Sequence, residues 1–298
     1  MAAELRNAAP PGLPSPRRRG ILEQAGAAFS AVWSVGVAGQ RNVLERIGGG
    51  VLALTEAVGH DTLLLARSLA ACRHAFAKRR EILRQMFLCG VMSFPVVVLV
   101  AIFSGAVLTL QTGLTLRPYG IASKIGAIVA ASMTREMGPI MAAIILAGRV
   151  GSAMAAELGT MRASEEIDAL HAMSIDPVRF LVMPRLVAMV VMAPVLTLLA
   201  DLIGILGGAV VAYHQIGISY TLYFNEAEAT LVLVDLNSSA IKALVFGMLI
   251  AIVGCGRGLR AQANAEGVGR ATKDSVVASF ILIIVFNYLI TSIARHYY

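Results

Sequence analysis

The sequence predicts an all-α integral membrane protein with five transmembrane helices, preceded by an amphipathic interfacial helix. Hydrophobic residues make up 57% of the 298 residues, charged residues make up 14%, and the mean hydropathy is +0.76. A soluble domain usually carries about 25% charged residues, so the apolar excess must face lipid. The apolar residues are gathered into five segments, each at least as long as the roughly 20 residues that a helix needs to cross a bilayer.

The segment before the first span divides into two parts. Residues 1–50 are proline-rich and basic at their start, and no apolar stretch follows directly, so we expect an uncleaved, disordered extension of unknown role. Residues 51–298 form the predicted membrane domain. Within it, residues 51–84 mix short apolar runs with six lysines and arginines, which favours an amphipathic helix in the cytoplasmic interface. A soluble helical hairpin is the alternative for this segment.

The five predicted spans lie at about 87–111, 125–158, 186–213, 238–257 and 275–294. The first and last of these contain no charged residue. The other three contain charges at Arg135, Glu136, Arg149, Asp201 and Lys242. The pair Gly204 and Gly208 suits close helix packing within the bilayer.

The distribution of basic residues predicts the orientation. The segments 51–84, 159–185 and 257–273 carry 13 lysines and arginines, whereas the opposite side carries three. Because cytoplasmic loops are enriched in these residues, we expect a cytoplasmic N-terminus and a C-terminus outside. The net charge of +7 is therefore explained by membrane topology, and we expect no nucleic-acid partner.

The sequence contains no motif for a catalytic centre. It has no Gly-x-x-x-x-Gly-Lys-Ser/Thr loop, no His-Glu-x-x-His and no Gly-x-Ser-x-Gly, and its three cysteines and five histidines are scattered. We expect no enzyme activity, no metal and no cofactor in this chain. This disfavours the alternative of a lipid-modifying membrane enzyme, and the lack of internal repeats disfavours an ion-coupled secondary transporter.

The charges in the second span suggest a substrate site. Arg135 and Arg149 are 14 residues apart, so on an ideal α-helix they share one face, about 21 Å apart along the axis. Charges inside a membrane are costly and persist where they pair or line a cavity. An anionic lipid headgroup would suit this face, because a guanidinium group can bind a phosphate through two parallel hydrogen bonds. Structural ion pairing, with Glu136 included, is the alternative.

A short amphipathic helix is predicted at 162–172, between the second and third spans. Its acidic residues lie near its N-terminal end, where the helix dipole favours them, and its apolar residues recur three apart. The acidic residues are Glu165, Glu166 and Asp168, and the apolar stripe is Ile167, Leu170 and Met173. We interpret the segment as a docking helix for a motor subunit. An interfacial helix without a partner is the alternative.

The same region carries a family resemblance. The runs Arg135-Glu-Met-Gly-Pro139, Ala147-Gly-Arg-Val-Gly-Ser152 and Ile175-Asp-Pro-Val-Arg179 resemble the MlaE permease family. Leu108-Thr-Leu-Gln111 and Gly267-Val-Gly-Arg-Ala-Thr272 match that family as well. The resemblance covers about 52–298.

The resemblance implies a homodimeric permease subunit of an ABC transporter in the bacterial inner membrane. Such a permease works with a cytoplasmic ATPase, which binds the ATP and magnesium, and with a periplasmic MCE-domain protein. The system moves phospholipid or similar hydrophobic molecules between the inner membrane and the outer envelope. By position, the implied lipid pocket comprises Leu108, Leu116, Tyr119, Arg135 and Glu136, to which we add Arg149. Asn287 stands where relatives often have an acidic residue.

Overall fold

The structure is a computed structural model that describes residues 55–56, 58–73 and 78–294. The predictions for residues 1–50 lie outside this part of the chain. Contacts divide the chain into two units, Met1–Gly59 and His60–Tyr298, and all of the long helices belong to the second unit. Within that unit the described residues form helices and turns and no β-strand.

Five long apolar helices can each cross a membrane by length and composition. They are α1 (Arg79–Tyr119), α2 (Ala122–Ala163), α4 (Val178–Ile216), α6 (Leu233–Leu259) and α7 (Ala265–Ala294). Two short helices lie between them: α3 (Glu166–Ala172) and α5 (Tyr220–Thr230). The predicted fold class, with five spanning helices, is confirmed.

The segment before the first span is helical, as expected. Residues 60–71 form one helical stretch, and Arg79–Met86 form a second, which joins the first span through a π turn at Phe87–Val91 and a bend at residues 92–93. In Arg79–Met86, Ile82 is buried while the arginines are exposed, so this stretch has an apolar and a basic side. That residues 51–84 lie in the membrane interface stays a prediction.

Small residues set how closely the long helices pack. Gly105 of α1 faces the backbone of Gly204 in α4 so closely that a methyl group at Gly105 would overlap that carbonyl. A Cβ atom at Gly254 in α6 would lie 2.9 Å from the carbonyl oxygen of Gly151 in α2. Close approach of backbones through small residues is the usual basis of helix association in membranes. It stacks α1 on α4 and α6 on α2.

Short π-helical turns interrupt the long helices at several points. Two of them lie in α2, at Met133–Met137 and Ala147–Gly151, and each contains one of the arginines of that span. Others occur at Phe87–Val91, Val178–Val182 and Ala212–Ile216. A π turn has a wider hydrogen-bonding ring than an α turn and shifts the helical phase of the residues after it.

Candidate functional site

A cluster of charged side chains lies where α2, α6 and α7 meet. Its first anchor comes from Pro139, which has no backbone N–H and therefore leaves the carbonyl of Arg135, four residues earlier, without its helical donor. Lys242 of α6 donates to that carbonyl oxygen at 2.6 Å. The ammonium of a neighbouring helix thus replaces the missing amide.

Glu136 is the centre of the cluster. Lys242 donates to its Oε1 atom at 3.0 Å, Thr291 donates to the same atom at 2.9 Å, and Asn287 donates to Oε2 at 2.9 Å. The Lys242 side chain is 2% exposed and the Glu136 side chain is 34% exposed. Three donors, one of which carries a full positive charge, keep the carboxylate in place. Asn287, where the family resemblance implies an acid, supplies a donor that an ionised carboxylate lacks.

Arg135 is held by a second ion pair. Its Nε and Nη2 atoms donate to the two carboxylate oxygens of Asp235 at 2.8 and 3.2 Å. This bidentate geometry fixes the plane of the guanidinium group. Asp235 is fully buried, whereas the Arg135 side chain is 47% exposed. The pair therefore keeps a positive group in a defined position at the edge of the helix bundle.

Two cavities lie side by side at this cluster. The first has a volume of about 390 Å³ and a charged lining: Arg135, Glu136, Ser238, Lys242, Tyr288, Thr291, Ser292 and Ala294. The second has a volume of about 380 Å³ and a nearly all-apolar surface formed by Val234, Asn237, Ser238, Ile241, Ile290, Ile293 and Ala294. Both cavities share Ser238 and Ala294. A molecule with a polar head and an apolar tail matches this pair.

The structure brings together only two of the six residues predicted for the lipid pocket, Arg135 and Glu136. Leu108 and Leu116 pack instead against a separate apolar cluster that includes Ile125. Tyr119 is 75% exposed at the end of α1. None of these three lines either cavity in the described chain.

Arg149 lies elsewhere as well. Its Nη1 atom donates to the hydroxyl of Ser93 in α1 at 2.8 Å, whereas Arg135 bonds to α6. The prediction that the two arginines share a face is therefore wrong. It assumes an ideal α-helix, and each arginine sits in a π turn, where the rotation per residue is smaller.

Sequence reasoning misses four members of the cluster as site residues. Lys242 is visible as a lone charge near the start of the fourth span, but its partner is not. Asp235 precedes the predicted fourth span, 238–257, and lies instead, fully buried, in the first turn of α6. Asn287 is noticed only through the family resemblance, which implies an acid there, and Thr291 gives no sequence signal.

The predicted docking helix is present as α3, although it is shorter than predicted. Glu165, Glu166 and Asp168 are exposed, and Asp168 pairs with Arg162 of α2 at 2.8 Å. Of the predicted apolar stripe, Ile167 is buried, Leu170 packs against the core and Met173 is 61% exposed. Most of the stripe therefore attaches the helix to the membrane domain, while the acidic side faces outward.

Five apolar spans with charge pairs between them define a multi-pass membrane protein, and a permease is the class with which this architecture agrees. Comparison with known proteins agrees: the family described as Permease MlaE matches residues 82–293. This chain belongs to the MlaE permease family.

Three relatives illustrate the breadth of that family. A probable ABC transporter permease protein of Rickettsia typhi is 38% identical over 85% of this chain and 97% of its own length. The intermembrane phospholipid transport system permease protein MlaE of Haemophilus influenzae is 30% identical, also over 85% and 97%. The chloroplastic protein TRIGALACTOSYLDIACYLGLYCEROL 1 of Arabidopsis thaliana is 34% identical over 72% of this chain and 61% of its own length.

Proposed function

We propose that this ABC transporter permease moves phospholipid, or a similar amphiphile, between the bacterial inner membrane and the outer envelope. The observation that carries the proposal is the cavity pair, with charge on one side of Ser238 and apolar surface on the other. The name of the Haemophilus influenzae relative, a phospholipid transport permease, supports the same substrate class.

In the proposed complex, Arg135 binds the phosphate of the lipid headgroup while the acyl chains occupy the apolar cavity beside Ile241. Asp235 fixes the guanidinium group by two hydrogen bonds, so it is oriented before the lipid arrives. A guanidinium group suits phosphate because its N–H donors form a rigid fork that matches two phosphate oxygens at once. The cavity lies between α2, α6 and α7, that is, the second, fourth and fifth spans.

The proposed energy source is a partner ATPase that docks on α3. The short connection between α3 and the helix that carries the site supports this role. α2 ends at Ala163, α3 begins at Glu166, and the Arg162–Asp168 ion pair joins them. Because Ile167 is buried in the core of the bundle, a displacement of α3 must also move α2, the helix that carries Arg135 and Glu136.

The proposed complex also has a defined assembly and orientation. We propose a homodimer in the inner membrane, a cytoplasmic ATPase that binds ATP and magnesium, and a periplasmic MCE-domain protein that exchanges lipid with it. The N-terminus is assigned to the cytoplasm and the C-terminus to the periplasm, on the basis of the basic-residue distribution.

Filling the apolar cavity tests the transport proposal. Ile241 lines that cavity and is 55% exposed, whereas Ile281 of α7 is 57% exposed and lines neither cavity. Ile241→Trp should lower ATP-dependent lipid transfer by the reconstituted complex and reduce the phospholipid that co-purifies. Ile281→Trp is the matched control and should change neither. Equal transfer by both variants would remove the cavity from the lipid path, and transfer that needs no ATPase would favour an ion-coupled transporter.

Charge reversal on α3 tests the docking proposal separately. The double variant Glu165→Lys/Glu166→Lys should reduce the yield of co-purified ATPase, because both side chains are exposed and the helix is held to the core by other residues. Glu266→Lys is the control, since Glu266 is an exposed acid in the first turn of α7. Full recovery of the ATPase with the double variant would show that α3 is not the docking helix.

A further inference from the structure

A second cleft, remote from the charged cluster, lies where three helix ends meet. It has a volume of about 650 Å³ and is formed by the start of α1, the end of α2 and the start of α4. Its lining residues are Lys78, Arg79, Arg80, Glu81, Arg84, Gln85, Glu157, Met161, Phe180, Leu181, Pro184 and Arg185. Successive spans must alternate in direction, so these three ends lie on one side of the membrane, the side predicted to be cytoplasmic.

The cleft carries an excess of positive charge. Five of its side chains are cationic and two are anionic. Glu157 is already paired with Arg185, at 2.8 Å, and Glu81 accepts a hydrogen bond from Gln85 at 3.2 Å. Among the residues that the structure describes, Arg79, Arg80 and Arg84 form no ion pair. The one cleft carboxylate outside an ion pair, Glu81, cannot balance three guanidinium groups, so the cleft keeps a net positive charge.

The floor and one wall of the cleft are preformed. Arg185 is 4% exposed, and its Nη1 atom donates to the carbonyl oxygen of Leu181 at 2.7 Å. Lys78 lies over the ring of Phe180, with its Nζ atom 3.6 Å from the ring centre. Burial, with a smaller contribution from the nearby charge of Arg179, lowers the pKa of Lys78. Arg179 thus places a further positive charge near Lys78, which adds to the attraction for an anion.

The surroundings identify the source of that anion. On the same first helix, Leu83 is 62% exposed and Phe87 is 55% exposed, so large apolar side chains project next to the arginines. Such a boundary between basic and apolar surface is typical of the level of lipid headgroups. We propose that the cleft binds the phosphate group of an anionic phospholipid from the adjacent leaflet. This site is separate from the Arg135 cavity and does not depend on the proposed transport function.

The test removes two cleft charges and compares them with two matched charges elsewhere. Arg80→Gln/Arg84→Gln is the test variant, and Arg270→Gln/Lys273→Gln is the control, because both control residues are exposed in the first turns of α7, on the same side of the membrane. Short-chain phosphatidylglycerol is titrated into the purified full-length protein, and bound lipid is counted by native mass spectrometry. A basic residue near an anionic lipid contributes about fivefold to affinity, so the test variant should bind about 25-fold more weakly.

Three results would overturn the proposal. The first is an equal loss of binding in the control variant, which would mean that only the general surface charge matters. The second is equal binding of short-chain phosphatidylcholine to the unaltered protein. The third is inorganic phosphate competing as strongly as the lipid, which would identify free phosphate as the ligand. An unchanged thermal unfolding midpoint in the test variant shows that lost binding is not lost folding.

Discussion

The two members of the Glu136–Lys242 ion pair should respond unequally to removal. Glu136→Ala leaves the Lys242 ammonium in a site where it is 2% exposed, and the carbonyl oxygen of Arg135 is then its one remaining hydrogen-bond acceptor among the described residues. Lys242→Met fills a similar volume with an apolar side chain. It leaves Glu136 with the donors of Asn287 and Thr291 and with its 34% exposure.

These environments set the expected loss in the free energy of unfolding for each variant. An unpaired buried charge costs about 3–5 kcal/mol, which is the loss expected for Glu136→Ala. Lys242→Met leaves one buried carbonyl without a donor and weakens the hold on a partly exposed carboxylate, which costs about 1–3 kcal/mol. The double variant removes both charges, so it should be more stable than Glu136→Ala alone.

The measurement is reversible unfolding of the purified protein in mixed detergent micelles, followed by circular dichroism, for both single variants and the double variant. The free energies of unfolding are then ranked. If Lys242→Met is as destabilising as Glu136→Ala, or if the double variant is the least stable of the three, burial of the lysine does not control the energetics of this site.

Three further predictions rest on particular contacts. Gly105→Ala forces a methyl group into a backbone carbonyl of α4 and should lower the unfolding midpoint, with a cost of about 1–3 kcal/mol, whereas Gly148→Ala meets no atom within 4 Å and should leave it unchanged. A cysteine at Ser164 should react with an impermeant maleimide only from the cytoplasmic side and a cysteine at Ser219 only from the periplasmic side; the reverse pattern would invert the topology. Asn287→Asp replaces a donor with a second carboxylate at a 2.9 Å contact and should destabilise the protein by about 1–3 kcal/mol at neutral pH, less at acidic pH where one carboxyl is protonated. An unfolding series against pH measures this last effect, and a pH-independent loss would contradict it.

The spans could be predicted from the sequence because hydropathy is a local property. A stretch such as Ser275 to Ala294 contains no charged residue, and no distant contact is needed to recognise it. The start of the first span is harder to predict. The basic stretch Arg79–Met86 leads into the apolar helix through a π turn at Phe87–Val91, so helix and span do not begin at the same residue.

The site could be predicted only in part because its contacts are distant in sequence. Lys242 lies 106 residues from Glu136, and Asn287 lies 151 residues from it. Which side of each helix faces the other also depends on the π turns, and the residue pattern gives no sign of where these occur. Arg135 and Glu136 could be found because a charged side chain inside a span costs free energy whichever side of the helix it lies on. Their partners required the three-dimensional packing.

Lys242 ties α6 to α2 at the turn that Pro139 leaves without one backbone hydrogen bond. Its 2.6 and 3.0 Å bonds both reach the turn just before Pro139, at Arg135 and Glu136. A rearrangement of that turn therefore has to break these bonds or move α6 with it. The same lysine that neutralises Glu136 thus couples the position of the fourth span to that of the second.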